Sequence, residues 1–313
     1  MDDEERRFRF VSLEGCKELG RGSHGITYKL NDEQILKVYT DNSKFSTIEK
    51  ERLSAKYAFL EGIPSGIAFD TVVTEEGLGV IFEFFNGKPL GSYMSEHEDR
   101  FNELIEKYVE VLKQFHSTKA DITKFRSSKD VFINNFNNLP EKYFNRKQVQ
   151  SLINIVNSVP DGECFVHNDF HPQNIIRSDD GNLMVIDMAD VSYGHCIFDF
   201  GSLYLTLVLS GKASNKICRQ VTGLSSKQAK YLWDETLKRY LGTDDRKAIK
   251  EFEKKCAIIR NLSMTMLIAT EANVWPRFAV RAASIFAKIV LIGREKKCIE
   301  ELSACNVVRY TAS

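Results

Sequence analysis

The period of the apolar residues changes once along this chain, and that change limits what it can fold into. Up to residue 84 the pattern is short and two-residue. Ile26, Tyr28 and Leu30 alternate with polar neighbours, Asn31-Asp32-Glu33 supplies a turn, and Ile35-Leu36-Lys37-Val38-Tyr39 reads as the next strand. One helix interrupts the strands: Ser46 with Glu49 makes a capping-box pattern, the helix runs to Leu60, and Gly62-Ile63-Pro64 ends it. Residues 67–74 and 78–84 fit two more strands. After Asn86-Gly87-Lys88-Pro89 the spacing becomes helical. Phe101, Leu104, Ile105, Tyr108, Val109, Leu112 and Phe115 share one face, Val149, Leu152, Ile153 and Val156 another, and residues 226–241, 245–271 and 277–293 read as long helices. The spacing predicts an α+β architecture: a small antiparallel β-rich lobe with one helix over 1–85, a hinge at 84–88, and a larger, mainly helical lobe over 86–313.

A chain of 313 residues is long enough for two such lobes around a cleft. Lys plus Arg equals Asp plus Glu at 43 each, so no global field draws in nucleic acid or an anionic membrane, and neither is an expected partner. Seven cysteines, odd in number and without a C-x-x-C pair, fit reduced cytosolic thiols better than a disulfide framework or zinc site. Met1-Asp2-Asp3-Glu4-Glu5-Arg6-Arg7 is charged and no apolar signal region follows. The most apolar tract, Ala279 to Ile292, contains Arg281 and Lys288, so it reads as a buried helix rather than a membrane span. A cytoplasmic location is expected, with no obligate protein partner.

The chemistry concentrates in His167-Asn168-Asp169-Phe170-His171-Pro172-Gln173-Asn174, followed by Leu183-Met184-Val185-Ile186-Asp187. Phosphoryl transfer from a nucleotide needs a group to orient the attacking hydroxyl and hard oxygen ligands for magnesium. Kinases put the base and an amide on one loop and a metal-binding Asp on the next strand. Asp169 is the candidate base, and Asn174 and Asp187 are the candidate ligands for Mg²⁺. His167 is expected to hold the loop through its ring nitrogens. His171 stands two residues past Asp169, with a donor role near the γ-phosphate and a packing role both open.

Gly20-Arg21-Gly22-Ser23-His24-Gly25 is a G-x-G-x-x-G match and weak evidence alone. A dinucleotide fold would need a helix after it, whereas Ile26-Thr27-Tyr28-Lys29-Leu30 alternates like a strand; a P-loop would need a lysine before the final Ser/Thr. A glycine hairpin over phosphates fits, and a plain turn stays open. Lys37, twelve residues beyond Gly25, is placed to hold the α- and β-phosphates. Its carboxylate partner is expected to be Glu51, on one face with Ile48 and Ala55, with Glu49 as runner-up.

These residues resemble the aminoglycoside phosphotransferase and choline kinase branch of the protein-kinase-like fold. His167-x-Asp169-x-His171-x-x-Asn174 is similar to that branch's H-G-D-x-H-x-x-N loop, with Asn168 in place of the glycine. The similarity covers about residues 15–205 and includes Asp187, Glu51, and Glu83-Phe84-Phe85-Asn86-Gly87 as the hinge. It implies a nucleotide, ATP or GTP, with adenine on the backbone around Phe84 and Phe85, a catalytic Asp169, and metal on Asn174 and Asp187. It also implies a γ-phosphoryl acceptor hydroxyl on an aminoglycoside, choline or similar small molecule. Gly194-His195-Cys196-Ile197-Phe198-Asp199 resembles the post-catalytic motif of small-molecule kinases, with Asp199 as a buried anchor. Asp187-Met188-Ala189 and the lack of an A-P-E sequence weaken a protein Ser/Thr kinase reading. A nucleotide-binding regulatory protein without turnover is the third reading, disfavoured by the complete set of site residues. For the acceptor, Asp161, Asp190 and Glu271 are candidate acids, and Tyr231, Trp233, Trp275 and Phe278 a candidate cation–π cage.

Overall fold

The computed structural model describes residues 8–22, 25–39, 45–272 and 274–305. The charged opening segment 1–7 and Ser23-His24 of the glycine sequence lie outside the described residues. The chain forms two compact units, one running to Tyr93 and including Asn174–Asp190, the other comprising Met94–Gln173 and the chain from Val191.

The first unit is built on an antiparallel sheet in the order β1-β2-β3-β5-β4, from β1 (Lys17–Arg21), β2 (Gly25–Lys29), β3 (Gln34–Tyr39), β4 (Ala68–Thr74) and β5 (Gly77–Glu83). The alternation sends Ile26, Tyr28, Leu36, Val38, Val72 and Ile81 to one core. Helix α1 (Phe45–Leu60) buries Ile48, Glu51, Ala55 and Ala58. The expected capping box does not form: the helix already includes Ser46, and the Glu49 carboxylate bonds Arg52 and Thr71. A tertiary partner on β4 has outcompeted the local one. A second, three-stranded sheet joins β6 (Gly87–Pro89), β8 (Ile175–Ser178) and β9 (Leu183–Val185). Three residues in β6 show no period to read, so that strand was not legible in the sequence. The Val185 amide donates to the Pro64 carbonyl at 2.7 Å, which ties β9 to the turn that ends α1.

Helix α2 (Leu90–Glu96) carries the chain into the second unit. There α3 (Phe101–Ser117) turns Leu104, Ile105, Tyr108, Leu112 and Phe115 wholly inward. α4 (Ser128–Asn137) and α5 (Arg146–Asn157) follow, the latter opened by a capping box between Asn145 and Gln148. β7 (Cys164–Val166) pairs with β10 (Ser192–Gly194). The remainder is helical: α6 (Ile197–Tyr204), α7 (Ser210–Ala213), α8 (Asn215–Thr222), α9 (Ser226–Leu241), α10 (Arg246–Glu271), α11 (Arg277–Val290) and α12 (Glu295–Ser303). The expected start of α10 at residue 245 moves by one because Asp245 is its N-cap, accepting the Lys247 amide at 2.9 Å.

The apolar tract 279–292 is not a buried helix. On α11 the small residues Ser284 and Ala287 face inward with Val280, while Phe278 and Ile289 are 77% and 60% exposed. Mean hydropathy cannot say which face packs; close helix packing selected the small side chains. Among the described residues no helix is long and apolar enough to cross a membrane.

Candidate active site

In the first unit, strand β3 points Lys37 at two carboxylates. Its Nζ lies 2.7 Å from Glu51 Oε1 and 3.4 Å from Asp187 Oδ1. The Tyr39 hydroxyl donates to the other Glu51 oxygen at 2.8 Å, so the buried glutamate is held from two strand positions. Glu51, not Glu49, is thus the lysine's partner. Burial pulls the Lys37 pKa down, but the charges of Glu51 and Asp187 outweigh it and hold the ammonium above its ordinary value. Tyr39 was missed in the sequence, where it looks like one more strand aromatic.

Asp187 follows β9 with φ +61°, a left-handed position that Asp tolerates better than branched residues do. Ile175 pairs with Val185, and the Ile186 amide donates to the Asn174 carbonyl at 2.9 Å. This register sets Asn174 one residue from alignment with Asp187. The glycines differ among themselves. A Cβ on Gly25 would stand 2.3 Å from the Val38 carbonyl oxygen, so strand packing alone demands glycine there. A Cβ on Gly20 would meet nothing within 4 Å, and one on Gly22 only the Gly25 oxygen at 3.9 Å. Among the described residues, packing does not demand glycine at either position. At the end of β5, the Phe84 amide is engaged by the Glu33 carbonyl at 2.7 Å, and the Glu83 carboxylate accepts the Ile67 amide at 3.3 Å.

In the second unit, the chain leaves β7 into the loop that bears Asp169. Asn168 has φ +67°, which explains why a glycine or asparagine suits this position. Its side-chain amide donates to Ser192 Oγ at 2.9 Å, and Ser192 in turn bonds Ser128 at 2.7 Å. The fully buried Asp199 accepts the His167 amide at 3.0 Å and the Asn168 amide at 2.6 Å. His116 Nε2 reaches the same carboxylate at 2.9 Å, and its Nδ1 lies 2.8 Å from the Tyr240 hydroxyl. Asp199 as anchor was legible in the sequence; its partner His116, and Tyr240 beyond it, were not. The signal for His116 existed, because it falls four residues after Leu112, in phase with the buried face of α3.

The His167 ring accepts the Asp169 amide at 3.2 Å, as expected of a loop-holding histidine. Phe170 packs its ring 5.1 Å from Tyr108 and 5.7 Å from Phe115, and its carbonyl accepts the Tyr108 hydroxyl at 3.1 Å. The Asp169 side chain itself stays 44% exposed. His171 Nδ1 accepts the Gln173 amide at 3.2 Å, which leaves the proton on Nε2, 3.5 Å from Asp169 Oδ2. Among the described residues, no three His, Cys, Asp or Glu side chains group to hold a metal ion.

The candidate acceptor groups fare less well. Trp233 is fully buried against Phe200 and Tyr204, with its indole N–H 3.3 Å from Glu253, so it cannot line a cage. Asp161 is a surface acid paired with Lys129 at 2.6 Å. The Glu271 side chain lies outside what is described.

The fold recurs in known proteins. Solved structures with a similar fold include the aminoglycoside phosphotransferase APH(2'')-Ib bound to ADP, at 19% identity and TM-score 0.57, over 96% of this chain and 99% of that one. APH(2'')-IIa, in a ternary complex with streptomycin and ATP, gives 18% identity and TM-score 0.54, over 95% of each chain. A thermostable mutant of APH(4)-Ia, in a ternary complex with ADP and hygromycin B, gives 13% identity and TM-score 0.56, over 93% and 95%. No curated protein sequence matches the chain. Identities this low establish the protein-kinase-like fold. A sequence profile for the phosphotransferase enzyme family, however, matches residues 15–252, and with it the chain is a member of that family.

Proposed function

We propose that the chain moves the γ-phosphoryl group of ATP to a hydroxyl of a small polar or cationic molecule, with Asp169 as the base. The observation that carries this reading is the Lys37 ammonium held between the Glu51 and Asp187 carboxylates. A half-buried lysine between two carboxylates, one of them buried, is costly to keep for structure alone. Two strands across the sheet from Gly20, it offers a fixed cation to the α- and β-phosphates. The Glu83–Phe85 segment would carry the purine, with the Phe84 amide already committed to Glu33.

Asn174 and Asp187 present an amide oxygen and a carboxylate, the hard donors that suit Mg²⁺. When bound, the ion would neutralise charge on the transferring phosphates. Asp169 orients the acceptor hydroxyl and takes its proton late, because bond breaking to the leaving group runs ahead in a loose transition state. Its exposed carboxylate on a loop pinned by Asp199 fits a positioning task. His171, with its Nε2 proton turned toward Asp169, holds that carboxylate in place or donates to a phosphate oxygen.

The test is ADP release from ATP and Mg²⁺ across aminoglycosides, choline, amino alcohols and sugars. One acceptor should stimulate release at least tenfold, and Asp169→Ala should abolish the stimulation while nucleotide still binds. Nucleotide binding with no stimulated turnover across the panel would favour the regulatory reading.

A further inference from the structure

Helix α11 carries an unpartnered apolar stripe beside a row of cations, and we infer that this face docks on an anionic lipid surface. At roughly 100° per residue, Phe278, Ile285, Phe286 and Ile289 fall within an arc of roughly 100°. All four side chains are exposed: 77%, 48%, 45% and 60%. Phe278 and Ile289, three turns apart, are the most exposed of the four and lie near the middle of the stripe. Isolated apolar residues on a surface are ordinary, but four large ones aligned on one helix are not.

The charges select the partner. Arg277, Arg281 and Lys288 fall within roughly 40° of one another along one edge of the stripe. Residues 274–290 contain no Asp or Glu to offset them. Both arginines are exposed, and Lys288 lies with its Nζ 5.4 Å from the Phe144 ring. A second copy of this face would bring like charges together, whereas a sheet of lipid phosphates meets both features. The apolar arc enters the acyl boundary and the exposed arginine side chains reach the headgroups. The helix lies on the bilayer rather than crossing it, in keeping with its 14-residue length. The equal counts of acid and base over the whole chain conceal this local row.

The experiment is co-sedimentation of the full chain with vesicles of phosphatidylcholine alone and of phosphatidylcholine with phosphatidylglycerol. Binding is expected only to the anionic vesicles, and it should weaken as salt rises. Ile285→Ser/Ile289→Ser should weaken it at least tenfold, since two half-exposed isoleucines leave the interface. Arg277→Glu/Arg281→Glu should erase the preference for anionic lipid. Both variants change exposed side chains, and an unchanged thermal melt verifies their fold. No sedimentation with either vesicle, or equal sedimentation with both, overturns the proposal. So does a dimer in sedimentation equilibrium that the isoleucine variant dissolves while vesicles go unbound.

Discussion

The two units hold their reactive groups by different means. In the first, Lys37 is fixed by ion pairs to Glu51 and to Asp187, whose side chain is 42% exposed. In the second, Asp169 rides on a loop whose backbone is bonded to a fully buried carboxylate and whose Phe170 is clamped by aromatic rings. Charge pairs tolerate small movements, because Coulomb energy falls slowly with distance. Buried hydrogen bonds and ring packing do not, because an ångström of displacement leaves a donor unsatisfied. The surroundings of Lys37 are therefore expected to adapt, and the loop that bears Asp169 to stay rigid.

The contrast can be broken most directly at Asp169. Asp169→Ala should cost on the order of 10³ in turnover with little change in nucleotide KM or melting temperature, because the side chain is half exposed and only the loop beneath it is structural. Asp199→Ala should act through stability instead. Two backbone amides and His116 lose their buried acceptor, at about 4 kcal/mol, measurable by urea denaturation; a melt equal to that of the parent protein would show that the frame is not rigid.

The pH limits should also separate the units. His195, in the second unit, accepts the Ile197 amide at 3.1 Å, and burial lowers its pKa from 6.5 to about 4. Its stabilising contribution is complete above pH 6.5 and is lost as pH falls toward 4, by up to about 3 kcal/mol. Lys37, in the first unit, has a raised pKa, so its contribution is complete below pH 10.5 and fades above it. Melting curves of the parent and of His195→Gln between pH 4 and 8 would test the acid limb on the order of that shift.

Smaller effects are expected where charge does the holding. Lys37→Ala should raise nucleotide KM by about thirtyfold, or about 2 kcal/mol, read from initial rates. The smallest effect falls at Gly20. Gly25→Ala should destabilise by about 2 kcal/mol through its clash with Val38, whereas Gly20→Ala should stay within about 0.5 kcal/mol in a melt and act on nucleotide KM alone.

Much of this was legible because periodicity and spacing are local. The strands around Lys37, the helix bearing Glu51 and the loop from His167 to Asn174 each announce themselves within a few residues. What failed to show depended on distant partners. Glu49 reads as a cap until Thr71 and Arg52 engage it. Trp233 reads as a candidate cage wall until Phe200 and Tyr204 enclose it. His116 and Tyr240 lie 124 residues apart and mean nothing singly. The orientation of α11 is the plainest case: composition marked an apolar helix, and packing turned its largest side chains outward.

By itself the sequence determined the strand-rich and helical halves, the identity of the lysine, carboxylate and amide groups, and the family to which they belong. Those follow from period, from spacing and from side-chain chemistry, all of which travel with the residues. Tertiary structure decided which glutamate meets Lys37, why Asn168 can stand where a glycine is usual, what holds Asp199, and which face of α11 meets water. Each of these is a choice among partners equally available in one dimension, and only close packing in three makes it.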